Sequence, residues 1–372
     1  MKTNNETARG RARRYLQQIR ARSDQAGSTA SVESSEAKPA GPVNISVIDY
    51  DPNVCTEKSE EKIDKCKPHV DEHSRVSWIN IIGNLDVSTF GQLRDLVNAN
   101  EKTMRRLSMV AQRPHADVFD SYIHITLRSF DYKEDQVTSE RINILFGEQY
   151  VITTSETGEV LADVKERILA NEERVRLTGA DYLVAEIVDA IADQHFGVLD
   201  SLGDRIEAVE DMVIERATPQ VLKEIKTLKS SLIYIRSGVW PLREAMDKLS
   251  DIETTLVAEK TRPYFQEQYD RAVSLTELIE TFRDLLDGVL DIYLSSVSLK
   301  LNDIMKVLAL VGAIFLPLSF LVGFYGMNFA GIPGIDSPYG FPAFVIIMFL
   351  IAISLLVYFA RAGWLRGSLD EE

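Results

Sequence analysis

Residues 307–325, VLALVGAIFLPLSFLVGFY, decide the fold of this chain, because they contain no charged side chain over 19 consecutive positions. A helix of about 20 apolar residues is long enough to cross the hydrocarbon core of a bilayer. A second uncharged stretch, FPAFVIIMFLIAISLLVYFA, covers residues 341–360. The two stretches predict a pair of transmembrane helices; a buried hairpin of a soluble protein is the alternative.

Basic side chains flank the two predicted spans, whereas the loop between them, residues 326–340, contains neither Lys nor Arg. Short loops rich in Lys and Arg stay in the cytoplasm. We therefore expect a multi-pass protein of the cell (inner or plasma) membrane, with both termini in the cytoplasm and the 326–340 loop outside. The flanking residues are Lys300, Lys306, Arg361 and Arg366.

The rest of the chain changes character along its length. Residues 1–42 are rich in Arg, Ser, Ala, Glu and Gly, which predicts a disordered tail. Short β-branched and aromatic runs over 43–158 predict a cytoplasmic α/β domain. Apolar residues at three- and four-residue spacing predict a helical hairpin region over 159–260 and, over 261–325, a stalk helix that continues into the first span. Residues 361–372 are expected to form a cytoplasmic tail.

Composition excludes several classes of function. The formal net charge of −15 argues against a nucleic-acid binder and suits a surface that attracts cations. Two cysteines in 372 residues do not form a disulfide framework, and no secretory signal is visible. No nucleotide-binding loop or catalytic constellation occurs, so we expect neither an enzyme nor an organic cofactor. The predicted fold class is an α+β/α membrane protein.

The first span has the pattern of a helix that lines a pore. Two helices cannot enclose a water-filled path, so several copies of the chain would have to do so together. One stripe combines polar, small and apolar residues without a charge inside the membrane; close helix packing explains the small residues equally well. The second span, rich in Ile, Leu, Val and Phe with a lone Ser354, suits a lipid-facing position. The stripe comprises Asp291, Asn302, Met305, Gly312, Leu316, Ser319 and Gly323.

The tripeptide Gly326-Met327-Asn328 lies where the first span ends and the outer loop begins. It resembles the Gly-Met-Asn signature of the CorA family of magnesium and cobalt transport proteins. The resemblance extends over roughly residues 43–365. The segments that share it are Trp78–Asn80, Gln112–Pro114, Trp240–Arg243, Pro263–Phe265, Tyr293–Ser298, Met305–Val307, Pro317–Leu318 and Tyr325–Asn328.

The resemblance implies a funnel-shaped homopentamer that takes up Mg²⁺, and often Co²⁺ or Ni²⁺, down the electrochemical gradient. It implies a selectivity filter at Gly326, Met327 and Asn328, where neutral amide and carbonyl oxygens bind the hydrated ion and still release it. For Asn328 alone, capping of a helix C-terminus is the alternative. The implied partners are further copies of the chain, the lipid bilayer and divalent cations, without nucleic acid.

Further positions of the inner helix acquire roles from the same resemblance. Asn302 is expected to form a polar ring at the cytoplasmic end, and Asp291 an acidic ring below it. Met305, Leu308 and Leu316 are expected to be hydrophobic constrictions that close by dewetting. Ordinary helix packing is the alternative for these three residues.

The sequence departs from the family where relatives carry an acidic pair that binds regulatory Mg²⁺. Arg105 and Arg106 occupy those positions, and an arginine cannot ligate a metal. The acids on the stalk side, Glu267 and Asp270, are retained, so a regulatory Mg²⁺ site there is a hypothesis. Arg106 would form a salt bridge with Glu267 of a neighbouring stalk. Other acids could sense Mg²⁺ or form a solvated face: Asp200, Asp204, Glu207, Glu210, Asp211 and Glu215.

One cysteine and histidine pattern has the spacing of a zinc site. Cys66, His69 and His73 follow one another at C-x2-H-x3-H spacing, with Cys55 eleven residues earlier. The stretch is polar and rich in Lys and Glu, so ordinary solvated residues are the alternative. The remaining histidines carry no signal beyond packing or surface roles; they are His115, His124 and His195.

Two rival functions remain open at this stage. A member of the same family that moves mainly Zn²⁺, Co²⁺ or Ni²⁺ would share the filter motif. A membrane-anchored sensor or scaffold would share the spans but would not conduct.

Overall fold

The computed structural model describes residues 43–60, 62–66, 75–83, 85, 87–108, 114–170, 176, 178–327, 337 and 339–364. Residues 1–42, predicted to be disordered, lie outside the described residues. The chain divides into two compact units. The first comprises Met1–Val209 and Lys223–Asp287, and the second comprises Glu210–Leu222 and Gly288–Glu372.

Seven strands form one mixed sheet in the first unit. The sheet has the order β2-β1-β3-β7-β6-β5-β4, so β2 and β4 are its edges. The β3–β7 pair is parallel, and the other neighbours are antiparallel. In chain order the strands are Asn44–Tyr50, Cys55–Glu60, Val76–Ile82, His115–Val118, Ile123–Lys133, Gln136–Phe146 and Tyr150–Ser155.

The sheet is covered on both faces, because successive side chains of a strand point to opposite sides. In β3, Trp78 belongs to one apolar cluster and Ile79 to another, and both are fully buried. The Nε1 atom of Trp78 donates a 2.9 Å hydrogen bond to the Oγ1 atom of Thr153, which donates in turn to Asn80 at 2.9 Å. These three polar side chains of the buried face are thus paired with one another, as burial favours.

Seven helices of eight or more residues occur in the described part of the chain, together with a 3₁₀ turn at Ile63–Lys65. The first two, α1 and α2, supply Leu93 and Leu107 to the Ile79 face of the sheet. The others up to the first part of α6 cover the Trp78 face. From α1 to α7 the bounds are Val87–Val97, Glu101–Ser108, Glu159–Leu169, Ala180–Glu215, Pro219–Asp251, Arg262–Tyr325 and Gly340–Arg361.

Arg176 closes the end of α3. Its guanidinium donates from Nε and Nη2 to the carbonyl oxygen of Ile168, at 2.9 and 2.7 Å, and from Nη2 to that of Leu169 at 3.2 Å. The last carbonyls of a helix lack partners within the helix, so a buried cation satisfies them and stabilises the end.

Helix α6 is continuous from Arg262 to Tyr325, and Pro317 lies inside it. The long helix that passes without interruption into the first apolar stretch is therefore confirmed, together with a terminal apolar helix, α7. A proline within a helix lacks the N–H group that would bond four residues back, here to the carbonyl of Ala313.

Two strands were not expected from the sequence. Strand β2 reads CTEKSE, and β4 reads HADV. Neither has the β-branched and aromatic content of a typical strand. Each forms by pairing at one edge with a long apolar neighbour, β1 for β2 and β5 for β4.

Candidate functional site

The C-terminal part of α6 is an uncharged apolar helix that the rest of the described chain leaves uncovered. Leu308 is 64% exposed and Leu316 is 73% exposed. Both α6 and α7 contain a window with the length and hydropathy of a membrane span, and no residue of either window is buried. Exposed apolar surface costs about 25 cal/mol per Å² in water, so lipid or further protein must cover these helices.

Helix α7 begins beside the end of α6. The ring centroids of Tyr325 and Phe344 are 4.8 Å apart. No residue of α7 is buried, and its one serine, Ser354, is exposed within a mainly apolar sequence. The helix therefore offers a mainly apolar surface that suits lipid on most sides.

The predicted stripe is a continuous face of α6. Its members from Met305 onward recur at steps of three, four or seven residues, which places them on one side of a helix. A side chain built at Gly312 or Gly323 would meet no atom within 4 Å. Packing within the described part of the chain therefore does not require these two glycines. These members are Met305, Gly312, Leu316, Ser319 and Gly323, and Leu308, a predicted constriction residue, lies on the same face.

The predicted filter lies at the C-terminal end of α6. The Gly326 N–H donates to the Val322 carbonyl at 2.9 Å, and the Met327 N–H donates to the Phe324 carbonyl at 3.4 Å. The helical hydrogen bonding therefore ends at the tripeptide. The C-terminus of a helix carries a partial negative charge, which favours a cation there. Asn328, the third residue of the predicted filter, lies outside the described residues.

The two predicted polar rings precede the span. Asp291 and Asn302 are both exposed on α6, as a ring formed by several copies requires. Next to Asn302, the Nζ atom of Lys306 contacts the Oδ1 atom of Asp303 at 2.8 Å. The carboxylate of Asp303 thus pairs with Lys306, the lysine nearest to the first span.

The predicted regulatory acids are exposed on the first part of α6. Glu267 and Asp270 both face solvent, and Asp270 accepts a 3.2 Å hydrogen bond from the Nε2 atom of Gln266. Arg106 is paired within its own chain: its Nη1 atom donates to the Oδ2 atom of Asp117. The salt bridge of Arg106 with Glu267 of another copy stays a prediction.

The acids predicted as alternative sensors lie along α4. Among the described residues, they do not form a group of three ligands for a metal. All are exposed except Glu210, which is partly buried, as in a solvated helix face. They are Asp200, Asp204, Glu207, Glu210, Asp211 and Glu215.

The structure does not bring the two cysteines of the predicted zinc set together. Cys55 packs against the cluster on the Trp78 face of the sheet, whereas Cys66 belongs to the cluster on the opposite face. His69 and His73 lie outside the described residues, so the zinc set Cys55, Cys66, His69 and His73 stays a prediction.

A group that the sequence analysis missed lies on strands β4 and β5. His115, Asp117 and His124 offer one ligand atom each, and these atoms lie within 4.8 Å of one another. Burial lowers the pKa of His124 to about 3, helped by the nearby His115 and Arg106, so its imidazole is neutral at pH 7. The signal that would have found the group is the H-x-D pattern of one strand facing a histidine of the next.

The comparisons with known proteins agree on one family. A family model described as "CorA-like Mg2+ transporter protein" matches residues 74–361. The cobalt/magnesium transport protein CorA of Thermotoga maritima is 33% identical over 324 residues, which cover 86% of this chain and 92% of that protein. A zinc transport protein, ZntB of Pectobacterium atrosepticum, is 24% identical and covers 77% of this chain and 88% of its own length.

A solved structure has the same fold. The CorA magnesium transporter of Methanocaldococcus jannaschii superimposes with a TM-score of 0.71 at 22% identity. The superposition covers 86% of this chain and 98% of that one.

Proposed function

The chain belongs to the CorA family of divalent-cation transporters, and from that premise we propose that it is a Mg²⁺ channel, with Co²⁺ or Ni²⁺ as further cargo. Five copies would surround one pore in the cell membrane, in a funnel-shaped homopentamer. The observation that carries the proposal is the exposed stripe of α6, which leads along one helix face to Gly326 and Met327. A stripe of this kind needs several copies to enclose a path.

The filter would work on the hydrated ion. Mg²⁺ loses its water reluctantly and prefers octahedral oxygen coordination, so a cage of carboxylates would hold it too tightly. A ring of Asn328 amides and of Gly326 and Met327 carbonyls would bind the first hydration shell and release it again. The partial negative charge at the end of α6 adds attraction for the cation.

Constrictions of the pore would lie between the filter and the cytoplasmic polar rings. Met305, Leu308 and Leu316 on the exposed stripe would form apolar rings that exclude water when the pore narrows. Asn302 and Asp291 would form polar rings at the cytoplasmic side. Each charge gains about 2.3 kcal/mol per 100 mV of membrane potential, and a divalent ion gains about twice that, so uptake needs no nucleotide.

Both termini would lie in the cytoplasm. Lys306 precedes the first span and Arg361 follows the second, which the positive-inside rule places on the cytoplasmic side. The α/β region would then face cytoplasmic Mg²⁺, where a regulatory site at Glu267 and Asp270 could be formed with a neighbouring copy. The 326–340 loop would face outward.

Zn²⁺ is the second candidate cargo, because a relative named a zinc transport protein aligns over 88% of its length. A non-conducting sensor or scaffold is the third candidate. These alternatives differ in flux. A zinc transporter predicts that Zn²⁺ outcompetes Mg²⁺, and a sensor or scaffold predicts no flux.

The test is cation influx into proteoliposomes with an inside-negative potential, for the wild type and Asn328→Ala. The control is Asn53→Ala, which changes an exposed residue of the turn between β1 and β2. We expect Mg²⁺ influx in the wild type and control and its loss in Asn328→Ala. Influx of Zn²⁺ that Mg²⁺ does not reduce would favour the second candidate. No influx from an intact oligomer would overturn the channel proposal.

A further inference from the structure

The strand register brings three potential metal ligands to one face of the β4–β5 hairpin. Asp117 lies directly opposite His124, and His115 lies two residues before Asp117 on the same side of β4. The rings of His115 and His124 contact edge to face, with centroids 5.3 Å apart. The Nε2 atom of His115 is 3.6 Å from the Oδ2 atom of Asp117. This face is the one that α1 and α2 cover.

The hydrogen bonds of His124 leave one nitrogen available. The hydroxyl of Thr126 donates to the Oδ1 atom of Asn143 at 2.9 Å and lies 3.3 Å from the Nε2 atom of His124. Because a hydroxyl has one hydrogen, Nε2 of His124 is the donor to Thr126, and the lone pair is on Nδ1. Histidines that ligate metals commonly donate their second N–H in this way.

The Nδ1 lone pair of His124 is buried and accepts no hydrogen bond from the described residues. The residue is 0% exposed, and within the described part of the chain no hydrogen-bond donor reaches its Nδ1 atom. Buried polar atoms in folded proteins are nearly always paired, so an orphan atom of this kind requires an explanation. A ligand that arrives from solution supplies one.

We propose that His115, Asp117 and His124 bind one transition-metal dication of the Zn²⁺, Co²⁺ and Ni²⁺ class, and that this ion competes with Arg106 for the Asp117 carboxylate. Two imidazoles and one carboxylate suit these metals, whereas Mg²⁺ prefers oxygen ligands and retains its water. Three protein ligands would leave a fourth position for water, as in open zinc sites.

The group can close around an ion by a small movement. Ligands about 2.0–2.1 Å from a tetrahedral zinc lie roughly 3.4 Å from one another, so the present spread of up to 4.8 Å has to shrink. The side chains of His115 and Asp117 are each 23% exposed and can adjust, while buried His124 is the fixed ligand. Arg106, 28% exposed, can turn toward solvent when the ion takes its place.

The test is calorimetric titration of the full-length, tag-free oligomer with Zn²⁺ after treatment with a chelator. Excess Mg²⁺ is present throughout, so that oxygen-rich sites are already filled. We expect one Zn²⁺ per chain in the wild type. In His115→Gln and Asp117→Asn this binding should weaken by about a hundredfold or more, because loss of a mere outer-shell partner already costs about 10–100-fold.

A change in the opposite direction separates loss of a ligand from misfolding. Arg106→Met removes the competitor and should tighten Zn²⁺ binding by about fivefold, the worth of a partly exposed ion pair. His195→Gln changes a buried histidine elsewhere and should leave binding unchanged. Wild-type affinity in His115→Gln, or loss of binding in Cys66→Ser alone, would overturn the proposal. No tightening in Arg106→Met would overturn the competition.

Discussion

The guanidinium of Arg106 donates a hydrogen bond to the carboxylate of Asp117, which joins helix α2 to the edge strand β4. The two side chains are 28% and 23% exposed, so solvent screens the pair only in part. A positive side chain therefore stands, already paired, at the position where the resemblance to the CorA family implies a metal-binding carboxylate.

This pairing predicts the effect of Arg106→Asp. The substitution places a second carboxylate beside Asp117, and two close carboxylates bind a divalent cation to relieve their repulsion. We expect Mg²⁺ flux through the variant to fall as Mg²⁺ on the side of the α/β region rises from micromolar to millimolar, more steeply than in the wild type. Arg94→Asp, an exposed change on α1, is the control. An unchanged Mg²⁺ dependence in Arg106→Asp would contradict the prediction.

The buried His195 predicts a pH dependence of stability. Burial lowers its pKa from 6.5 to about 4, although its Nε2 atom lies 2.9 Å from the Arg128 carbonyl. Between pH 6.5 and pH 4 the unfolded chain is therefore protonated at this histidine and the folded chain is not. The free energy of unfolding falls as the pH drops through this range, by about 1.4 kcal/mol per pH unit at most. The melting temperature of His195→Gln should fall less between pH 7 and pH 5. Equal falls in both proteins would show that this residue does not contribute.

The apolar stripe predicts that polar substitution opens the pore. Met305→Ser should raise Mg²⁺ influx by about fivefold or more, because a hydroxyl lets water enter a constriction and lowers the barrier by about 1 kcal/mol. Leu310→Ser changes the opposite side of the same helix and is the matched control. Influx that rises equally in both variants would indicate a general disturbance of the helix rather than a gate at Met305.

The free space around Gly312 predicts an effect on assembly but not on the fold. A Cβ atom at this position meets nothing within 4 Å of its own chain, so Gly312→Leu should leave the single chain intact. Where copies pack against the glycine, the leucine keeps the helices apart. We expect the oligomeric fraction in detergent to fall by about half or more. Ala313→Leu, one position around the helix, should retain the oligomer; equal loss in both would contradict the prediction.

The helical part of the fold could be predicted because each signal was local. The stretch that follows Pro263 holds no further proline before Pro317, and the structure keeps it as one helix to Tyr325. Strands β2 and β4 could not be predicted, because their polar sequences become strands only through pairing with β1 and β5. The edge of a sheet is a property of the tertiary structure.

The same distinction applies to the sites. The spans and the Gly326-Met327-Asn328 tripeptide are contiguous in sequence and were visible from it. His115, Asp117 and His124 form a group only through the β4–β5 register, which the alternation of apolar residues does not fix for so short a strand. Contacts of one copy with another are not encoded in any single stretch of the chain, and these decide the role of Asn302 or Glu267.

Pro317 has a consequence for how the inner helix could change shape. Because Pro317 has no N–H group, the Ala313 carbonyl lacks its usual backbone hydrogen bond. This carbonyl lies in the middle of an apolar span, where lipid tails offer no donor. Bending at this point breaks no backbone hydrogen bond, whereas bending elsewhere in the span would break one. The two segments of the helix on either side can therefore tilt separately, so one end of the conduction path could widen while the other stays narrow.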